Sequence, residues 1–386
     1  MTDSSQRPRV VLGALHFAEY ACFLAEALAP EWDVLLVLYA DNAAGELPPG
    51  WMDRLNRSGV RPMLLERPGS PRDVISNARR LGAAIREFAP RLIHLQEVYR
   101  EELCLALMAN THLPMVLTVH DPEPHAGQDA AQMSRARKAA CRWYLRRRAQ
   151  ALITHGRFLV AVLQQALPRQ AQRIHSIPHG PLGQPLEVPA ETVGPQRLLF
   201  FGRIQAYKGL GHFVAAVMAL RDRGQGVIGV VAGRGDDLAR HRVTMSAAGC
   251  FEIHDKYIPA TEIAQLFAGA SAVVLPYTEG TQSGVAAMAL GHGRPVVATS
   301  VGSIPELVRH DVNGLLVPPG DIDALTSALQ ALTTEHSLRA RLAEGARALR
   351  AGELSWRTIA AQTSQVYAAA TQVGSEVVAP YPARTR

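Results

Sequence analysis

The chain has 386 residues, with 40 Lys plus Arg against 34 Asp plus Glu, which gives a formal charge of +6. This length predicts at least two domains, and 48% hydrophobic with only 19% charged residues excludes a disordered or fibrous protein. The four cysteines form no C-x-x-C pair, which disfavours a zinc finger, a disulfide framework and a thioredoxin-type motif. No apolar stretch is long enough for a membrane span or a signal-peptide core, so a cytoplasmic protein is expected.

The positive charge is concentrated in one segment. Residues 130–186 contain ten Lys or Arg and no Asp or Glu, whereas the rest of the chain has 30 basic and 34 acidic residues, a net charge of −4. Residues 130–149 lack Gly and Pro and predict a helix, on which four cations form one stripe: Arg135, Lys138, Arg142 and Arg146. The stripe is either a solvated helix face or a patch for an anionic surface, such as membrane headgroups or a pyrophosphate-linked lipid. A nucleic-acid partner is disfavoured, because only Trp143 and Tyr144 among these cations could stack on bases.

Short apolar runs rich in Val, Ile and Leu recur along the chain, each followed by a helical pattern. In the first half the predicted strands span residues 9–13, 33–39, 91–96, 114–120, 151–155 and 173–178. In the second half they span residues 197–202, 227–233, 272–276, 295–299 and 314–317. Near-continuous apolar strands that alternate with helices are typical of parallel sheets covered on both faces. The sequence therefore predicts an α/β protein with two doubly wound, Rossmann-like domains.

A stretch rich in Pro and Gly, residues 180–195, separates the two series of strands and is the best linker candidate. We therefore predict a first domain over 1–185 and a second over 196–350. Residues 351–386 are expected to form a C-terminal helix that packs back on the first domain and ends in a frayed tail. Ligands of open α/β sheets bind at the carboxyl ends of the strands, so the expected site is a cleft between the two domains.

The strand predicted at 197–202 ends in the sequence GRIQAYKGL, residues 202–210. Gly202 would let the backbone approach a ligand closely, and Arg203 and Lys208 follow within six residues. Two cations at a strand end suit a diphosphate, with Arg as a planar fork and Lys as a point charge. The motif is neither a Walker A loop nor a G-x-G-x-x-G fingerprint, and ordinary surface cations beside a turn are the plainer alternative.

A longer motif, PYTEGTQSGVAAMALGHGRPVVATSVGSIPE, occupies residues 276–306 after the strand predicted at 272–276. Thr281, Gln282 and Ser283 are suitable N-cap residues for the helix of small residues that follows. The amides at the start of that helix would form a phosphate site. Glu279 stands just before them, where a carboxylate can accept hydrogen bonds from sugar hydroxyls. This order of features is hard to explain as core packing alone.

These motifs resemble those of the retaining glycosyltransferases of the GT-B fold, in particular glycosyltransferase family 4 (group 1). The resemblance is strongest over residues 198–320, in FGRIQAYKGL, VVAGRG, VVLPYTEGTQSGVAAMALGHGRPVVATSVGSIPELV and NGLLVPPGD. It continues more weakly in TVHDPEPH, residues 118–125, and IPHG, residues 177–180. It implies two Rossmann-like domains facing across a cleft, with the acceptor on the first domain and the nucleotide sugar on the second.

The resemblance also implies roles for individual residues. Arg203 and Lys208 match the pair that grips the donor diphosphate, and Glu279 matches the first acid of the E-x7-E motif, which holds the transferred sugar. His120 matches the histidine near the reacting carbon, and it joins these three residues as the catalytic group. The donor-binding set comprises Gly13, Gly202, Arg203, Lys208, Glu279, Thr281, Gln282, Ser283, Gly284 and Val285. The acceptor-side candidates are His16, Asp121 and His125.

Two departures from the family pattern affect donor binding. The second acid of E-x7-E, which usually holds the donor ribose, is absent, and Ala286 and Ala287 occupy that region. The loop after the first strand reads GALHFAEY and has one glycine, Gly13, where the family often has a glycine-rich loop.

The expected reaction moves a hexose from a UDP- or GDP-sugar to an acceptor hydroxyl with retention. In this family the donor phosphate itself is usually held to take the acceptor proton, so no dedicated base is needed. No metal or other cofactor is expected, because Arg203 and Lys208 would stabilise the leaving diphosphate. Asp321 and Asp323 form an Asp-x-Asp pattern, but Asp321 fits better as a helix N-cap than as a metal ligand. The acceptor would be a glycan, a lipid-linked intermediate or a small molecule of bacterial polysaccharide or glycoconjugate synthesis. The enzyme would be either free in the cytoplasm or peripheral on the inner face of the membrane, through the cation stripe.

Two other functions fit the same architecture. A GT-B UDP-sugar epimerase would give product without any acceptor. A non-catalytic nucleotide-sugar-binding protein, suggested by the missing second acid, would bind a donor without turnover.

Overall fold

The computed structural model describes residues 7–97, 100–122, 136–183 and 195–376. These residues form two compact units. Unit 1 draws on Met1–His155, Val160–Ile177 and Trp356–Arg386, and unit 2 draws on Gly156–Leu159 and Pro178–Ser355. The predicted α/β class with two Rossmann-like domains is confirmed, since each unit contains one parallel sheet.

Unit 1 is built on a seven-stranded parallel sheet with the order β3-β2-β1-β4-β5-β6-β7. The strands are β1 (Arg9–Ala14), β2 (Asp33–Tyr39), β3 (Arg61–Leu65), β4 (Leu92–Gln96), β5 (Met115–Val119), β6 (Ala151–Thr154) and β7 (Ile174–Ser176). The helices are α1 (Ala18–Leu28), α2 (Ala40–Glu46), α3 (Trp51–Arg57), α4 (Pro71–Phe88), α5 (Glu101–Met108), α6 (Ala136–Arg148) and α7 (Arg157–Ala166), with a 3-10 helix at Pro168–Arg173. Strands β4, β5 and β6 are buried throughout, as expected when helices cover both faces.

Unit 2 is built on a six-stranded parallel sheet with the order β10-β9-β8-β11-β12-β13. The strands are β8 (Gln196–Phe201), β9 (Val227–Ala232), β10 (Phe251–His254), β11 (Ala272–Leu275), β12 (Val296–Thr299) and β13 (Gly314–Val317). The helices are α8 (Leu210–Asp222), α9 (Leu238–Ala248), α10 (Ala260–Gly269), α11 (Gly284–Gly291), α12 (Ile304–Leu307), α13 (Ile322–Thr334) and α14 (His336–Ala351), with a 3-10 helix at Ala206–Lys208. Asp321 caps α13 by accepting a hydrogen bond from Ala324 N at 2.8 Å.

The last described helix, α15 (Trp356–Glu376), belongs to unit 1. Its Tyr367 hydroxyl lies 2.6 Å from Nδ1 of His94 on β4, and Nε2 of that histidine lies 2.7 Å from the Thr118 hydroxyl on β5. Burial lowers the pKa of His94 to about 3, so the ring is neutral. The indole N–H of Trp32 donates to the Ser364 hydroxyl at 3.0 Å. These buried polar contacts fix α15 against the sheet.

Two strands, β3 and β10, are not predicted by the apolar runs of the sequence. Both are edge strands that are only partly buried, and β3 begins with Arg-Pro. Edge strands need not be continuously apolar, and proline is tolerated there. No helix among the described residues is long and apolar enough to cross a bilayer.

Candidate active site

The loop after β8 is held against the end of β9 by close backbone contacts. Gly202 N donates to Ala232 O at 2.9 Å, and Ile204 N donates to Arg234 O at 2.7 Å. A Cβ on Gly233 would overlap the carbonyl oxygen of Gly202, and Gly202 itself has a φ of 102°. Both positions therefore require glycine, and the loop is fixed at the carboxyl edge of the sheet.

Lys208 lies on the same loop, half-buried beside the end of β11. Its Nζ lies 3.3 Å from the Tyr277 hydroxyl and 5.1 Å from the centroid of that ring. It would also lie 3.7 Å from a Cβ on Gly202. The next residue, Gly209, has a φ of 72°, and a Cβ there would overlap the carbonyl oxygen of Pro276. Lys208 is thus fixed between the ends of β8 and β11, where parallel sheets bind ligands.

Helix α11 begins at the same edge. Ser283 caps it, because its Oγ accepts a hydrogen bond from Ala286 N at 3.2 Å. That oxygen also lies 3.3 Å from the Tyr277 hydroxyl, so Lys208, Tyr277 and Ser283 form a chain of polar contacts. The N–H groups of Gly284 and Val285 belong to the first turn, where helix amides have no intrahelical acceptor and attract anions.

The turn before α11 is equally well fixed. Thr281 O accepts hydrogen bonds from Ser303 N at 2.8 Å and from the Ser303 hydroxyl at 2.7 Å. Gly302 has a φ of 55°, and a Cβ there would overlap the carbonyl oxygen of Gly280. The predicted cap residues Thr281 and Ser283 therefore have a rigid backbone, which is what a preformed anion site requires.

The other predicted donor residues surround this edge. Arg203 and Glu279 lie on exposed loops, and Gln282 is half-exposed. Within the described ranges, the Glu279 carboxylate makes no hydrogen bond or ion pair, so its oxygens can accept from sugar hydroxyls. The side chain of Val285 is buried, and Cγ2 would lie 3.3 Å from a Cβ on Gly202. Only its backbone can serve a ligand.

The residues at the position of the missing second acid are buried under the chain around Leu182. Ala286 and Ala287 are both fully buried, and Ala287 O accepts a hydrogen bond from Leu182 N at 3.2 Å. A Cβ on Gly291 would overlap the carbonyl oxygen of Leu182. The described start of the predicted linker thus packs directly on α11.

His120 lies in unit 1, directly after β5, and is 3% exposed. Its Nε2 lies 2.8 Å from Oε1 of Gln96, the last residue of β4, and donates this hydrogen bond because an amide oxygen only accepts. Its ring stacks on Phe17 with centroids 4.0 Å apart, and Tyr20 meets it edge-on at 5.3 Å. The ring of His155 lies 4.8 Å away. His120 is therefore held in one orientation within an aromatic cluster.

One prediction about the first loop changes. Gly13 lies inside β1, paired with Val37, and a Cβ there would lie 2.6 Å from the Leu95 side chain. It is a packing glycine in the sheet and not part of a donor loop. The residue of the loop with left-handed backbone is Phe17, with a φ of 66°. His16 is exposed on this loop, as the acceptor prediction requires.

The remaining acceptor-side residues and the cations of the predicted stripe differ in their exposure. Asp121 is half-buried directly after His120, whereas His125 and Arg135 lie outside the described residues. Lys138 and Arg142 are half-exposed on α6. Arg146 is a correction, because it is buried rather than part of an exposed stripe: its Nε and Nη2 donate to the Glu97 carboxylate at 2.6 and 2.9 Å.

Three residues that contact the predicted site residues are not among those predicted from the sequence: Tyr277, Gln96 and Phe17. Tyr277 lies two residues before Glu279 in the PYTEG segment, so the motif itself could have indicated a place in the site. Gln96 reaches His120 because β4 and β5 are neighbours, which pairs Gln96 with Thr118. Nothing in the local sequence gives that pairing.

Two family models match the chain, one after the other. Residues 18–180 match "Glycosyltransferase Family 4", and residues 195–335 match "Glycosyl transferases group 1". The chain is a group 1 glycosyltransferase with the GT-B fold. The family predicted from the motifs is confirmed, as is an enzyme of the glycosyltransferase class.

Two curated relatives of this glycosyltransferase have different enzyme names. It is 28% identical over 296 residues to a glycogen synthase of Mycobacterium tuberculosis, covering 74% of this chain and 70% of that one. It is 34% identical over 197 residues to the D-inositol 3-phosphate glycosyltransferase of Xylanimonas cellulosilytica, covering 50% of this chain and 45% of that one.

Solved structures show the same fold at low identity. Sucrose-phosphate synthase from Thermosynechococcus elongatus superposes with a TM-score of 0.70 at 20% identity, covering 96% of this chain and 100% of that one. HepE of Anabaena in complex with UDP-glucose superposes with a TM-score of 0.66 at 18% identity, covering 93% and 99%.

Proposed function

We propose that this glycosyltransferase moves a hexose from a nucleoside diphosphate sugar, with a UDP- or GDP-sugar as donor, to an acceptor hydroxyl with retention. The observation that carries the proposal is the meeting of Lys208 with the capped N-terminus of α11, through Tyr277 and Ser283. A cation and unpaired helix amides at one sheet edge form a site for a diphosphate. The complex of HepE with UDP-glucose supports the same donor class.

In this proposal unit 2 stabilises the leaving group. Negative charge grows on the diphosphate as the bond to the sugar breaks, and Lys208, Arg203 and the amides of Gly284 and Val285 face that charge. Because these groups are already oriented, little free energy is lost in reorienting them during the reaction. Glu279 accepts hydrogen bonds from the sugar and fixes its orientation. The donor phosphate takes the acceptor proton, so no side chain needs to act as the base.

Unit 1 supplies the acceptor side. His120 is held by Gln96 and Phe17, and its role is to position the sugar and the acceptor rather than to shuttle the proton. His16 and Asp121 flank it and face the acceptor. The names of the relatives, a glycogen synthase among them, support an acceptor of carbohydrate type, in polysaccharide or glycoconjugate synthesis.

The test is a donor screen followed by kinetics on variants. Thermal shift with a panel of UDP- and GDP-sugars identifies the donor, because a ligand of the folded state raises the melting temperature. Lys208→Ala is expected to lower kcat by about a hundredfold to a thousandfold, as loss of one transition-state donor does elsewhere. Lys256→Ala is the matched control, since Lys256 pairs with Glu262 on an exposed surface. Equal rates in the two variants would refute the assignment of Lys208.

The same assay separates the alternatives. NMR of the product gives its anomeric configuration, and inversion would refute retention. A changed sugar without any acceptor would identify an epimerase. Donor binding without turnover for any acceptor would identify a non-catalytic nucleotide-sugar-binding protein.

Metal independence and membrane contact stay predictions. Activity is expected to survive EDTA, since the cations of the site take the place of a metal; loss of activity restored by Mg²⁺ would contradict this. We also propose a cytoplasmic site of action with peripheral contact to an anionic membrane through Arg135, Lys138 and Arg142. Cosedimentation with liposomes containing phosphatidylglycerol tests that contact.

A further inference from the structure

A groove of about 810 Å³ lies on unit 1, between α6 and the segment that follows α7. Helix α6 contributes Arg142, Trp143, Arg146 and Arg147 to its lining, and the segment after α7 contributes Arg169. Its volume is in the range of small-molecule sites. We name it the α6 groove, and the donor machinery of unit 2 does not use it.

The charged residues in the described lining of the groove are all cations. None of the described residues that line it is acidic, and residues 136–183 contain nine Lys or Arg and no Asp or Glu. Glu97 neutralises only Arg146, in a pair whose side chains are 8% and 4% exposed. Arg147 and Arg169 are both exposed, and residues 136–183 contain no carboxylate side chain that could neutralise them. Charge complementarity favours an anionic occupant.

The groove also carries an aromatic surface. Trp143 is 63% exposed, which is unusual for so large an apolar side chain. The guanidinium of Arg147 lies over its ring, with Cζ 5.5 Å from the centroid. An indole offers a flat apolar face to the C–H face of a sugar ring, and a guanidinium binds carboxylate, sulfate or phosphate through paired N–H groups. The two groups together suit a saccharide that carries negative charge.

The groove starts next to the proposed acceptor site. Pro122 lies two residues after His120 and lines the groove, and its carbonyl oxygen accepts hydrogen bonds from both Nη1 and Nη2 of Arg146, each at 3.2 Å. From Ala139 to Arg147 the helix extends for about 12 Å. A chain that leaves the region of His120 can therefore follow α6. A bilayer surface, in contrast, is flat on this scale and would touch only the rim of a recess.

We propose that the α6 groove binds an acidic oligosaccharide, the already-built part of a glycan acceptor. This rests on the proposed function, since it assigns the acceptor of that same transferase. The anionic groups pair with Arg147 and Arg169, and a sugar ring stacks on Trp143.

The test uses the full-length protein without donor. Isothermal titration calorimetry with tetragalacturonate and with neutral maltotetraose compares an acidic and a neutral chain. Tetragalacturonate is expected to bind at least tenfold more tightly, with an affinity that falls as salt is raised. Its binding should also change the tryptophan fluorescence, and this change should be lost in Trp143→Phe.

A matched pair of double variants separates the groove from general surface charge. Arg147→Ala with Arg169→Ala is expected to weaken tetragalacturonate binding by roughly tenfold to a hundredfold, the loss expected for charge-assisted hydrogen bonds. Arg137→Ala with Arg173→Ala removes two exposed cations of the same region that do not line the groove, and binding should persist. Equal losses in both pairs would overturn the proposal. So would binding to phosphatidylglycerol vesicles without binding to the acidic chain.

The two proposals fail differently. If wild type binds and turns over a nucleotide sugar but does not bind tetragalacturonate, the groove proposal alone is refuted. If wild type binds tetragalacturonate through Arg147 and Arg169 but binds no nucleotide sugar, the proposed function is refuted, and the groove stays a saccharide site without its acceptor role.

Discussion

Gly209→Ala is the sharpest test of how the donor loop is held. Gly209 and Gly224 both have left-handed backbone, with φ values of 72° and 76°. Alanine in that conformation costs about 1–2 kcal/mol at either position. The two sites differ in their surroundings: a Cβ on Gly224 has no atom within 4 Å, whereas a Cβ on Gly209 would overlap the carbonyl oxygen of Pro276.

The magnitude follows from that overlap. Real Cβ atoms essentially never approach another heavy atom within 3.0 Å, so the loop that carries Lys208 must move away from β11. A displacement of roughly 1 Å at a reacting group can lower the rate about a hundredfold. Gly209→Ala is therefore expected to lose about a hundredfold in kcat/KM, while Gly224→Ala loses only stability.

The assay is transfer kinetics on both variants, with urea unfolding to measure the shared backbone cost. Urea unfolding should show Gly224→Ala less stable by about 1–2 kcal/mol and Gly209→Ala by at least that much. Transfer at a temperature where both variants are fully folded isolates the effect on the loop. If Gly209→Ala retains the kcat/KM of Gly224→Ala, the contact with Pro276 does not position Lys208 and the reasoning is wrong.

Three further predictions concern buried groups. Glu97→Ala leaves the buried charge of Arg146 without its carboxylate and should lower the free energy of unfolding by about 3–5 kcal/mol. Asp41→Ala removes one partner of an exposed ion pair with Arg67 and should lower it by less than about 1 kcal/mol. Urea titration of both variants measures the two losses. Burial lowers the pKa of His94 to about 3, below its unfolded value of about 6.5, so its contribution to stability is complete above that value and lost as pH falls towards 3. His94→Gln should reduce the slope of unfolding free energy against pH in that window, and an unchanged slope would contradict the assignment. Ala287→Glu, meant to restore the second acid, should destabilise the fold without raising activity, since the site is fully buried; a faster enzyme would show the opposite.

The strands of the two sheets were predictable to the extent that they are central. Runs such as 33–39 and 272–276 are apolar throughout because both faces are buried, and the structure has β2 and β11 there. Strands β3 and β10 lie at sheet edges, where the chain reads Arg-Pro-Met-Leu-Leu and Phe-Glu-Ile-His. Their identity as strands depends on pairing with a neighbour, which local sequence does not encode.

The site residues, too, were predictable only where local sequence determines their position. Lys208 and Ser283 were predictable because each belongs to a contiguous motif whose backbone forms the site. The burial of Arg146 was not, because its partner Glu97 lies 49 residues earlier in the chain. Helix periodicity predicts that Arg146 shares a stripe with Lys138 and Arg142. Periodicity describes one helix only, so it cannot show that Glu97, directly after β4, pairs with Arg146. Long-range pairing therefore limits what a charge count can say about a surface.

The donor site proposed for unit 2 has more groups for the diphosphate than for the sugar. Arg203, Lys208 and the first amides of α11 face the diphosphate in the proposed complex, whereas Glu279 is the one acid assigned to the sugar. Binding energy should then come mostly from the part that donor and product share. Nucleoside diphosphate is expected to bind within about tenfold of the intact nucleotide sugar and to act as a strong competitive product inhibitor, because equal contacts give nearly equal affinity. Calorimetric titration of both ligands measures the ratio; a nucleotide sugar that binds more than about a hundredfold tighter, some 2.7 kcal/mol, would mean that the sugar has contacts beyond Glu279.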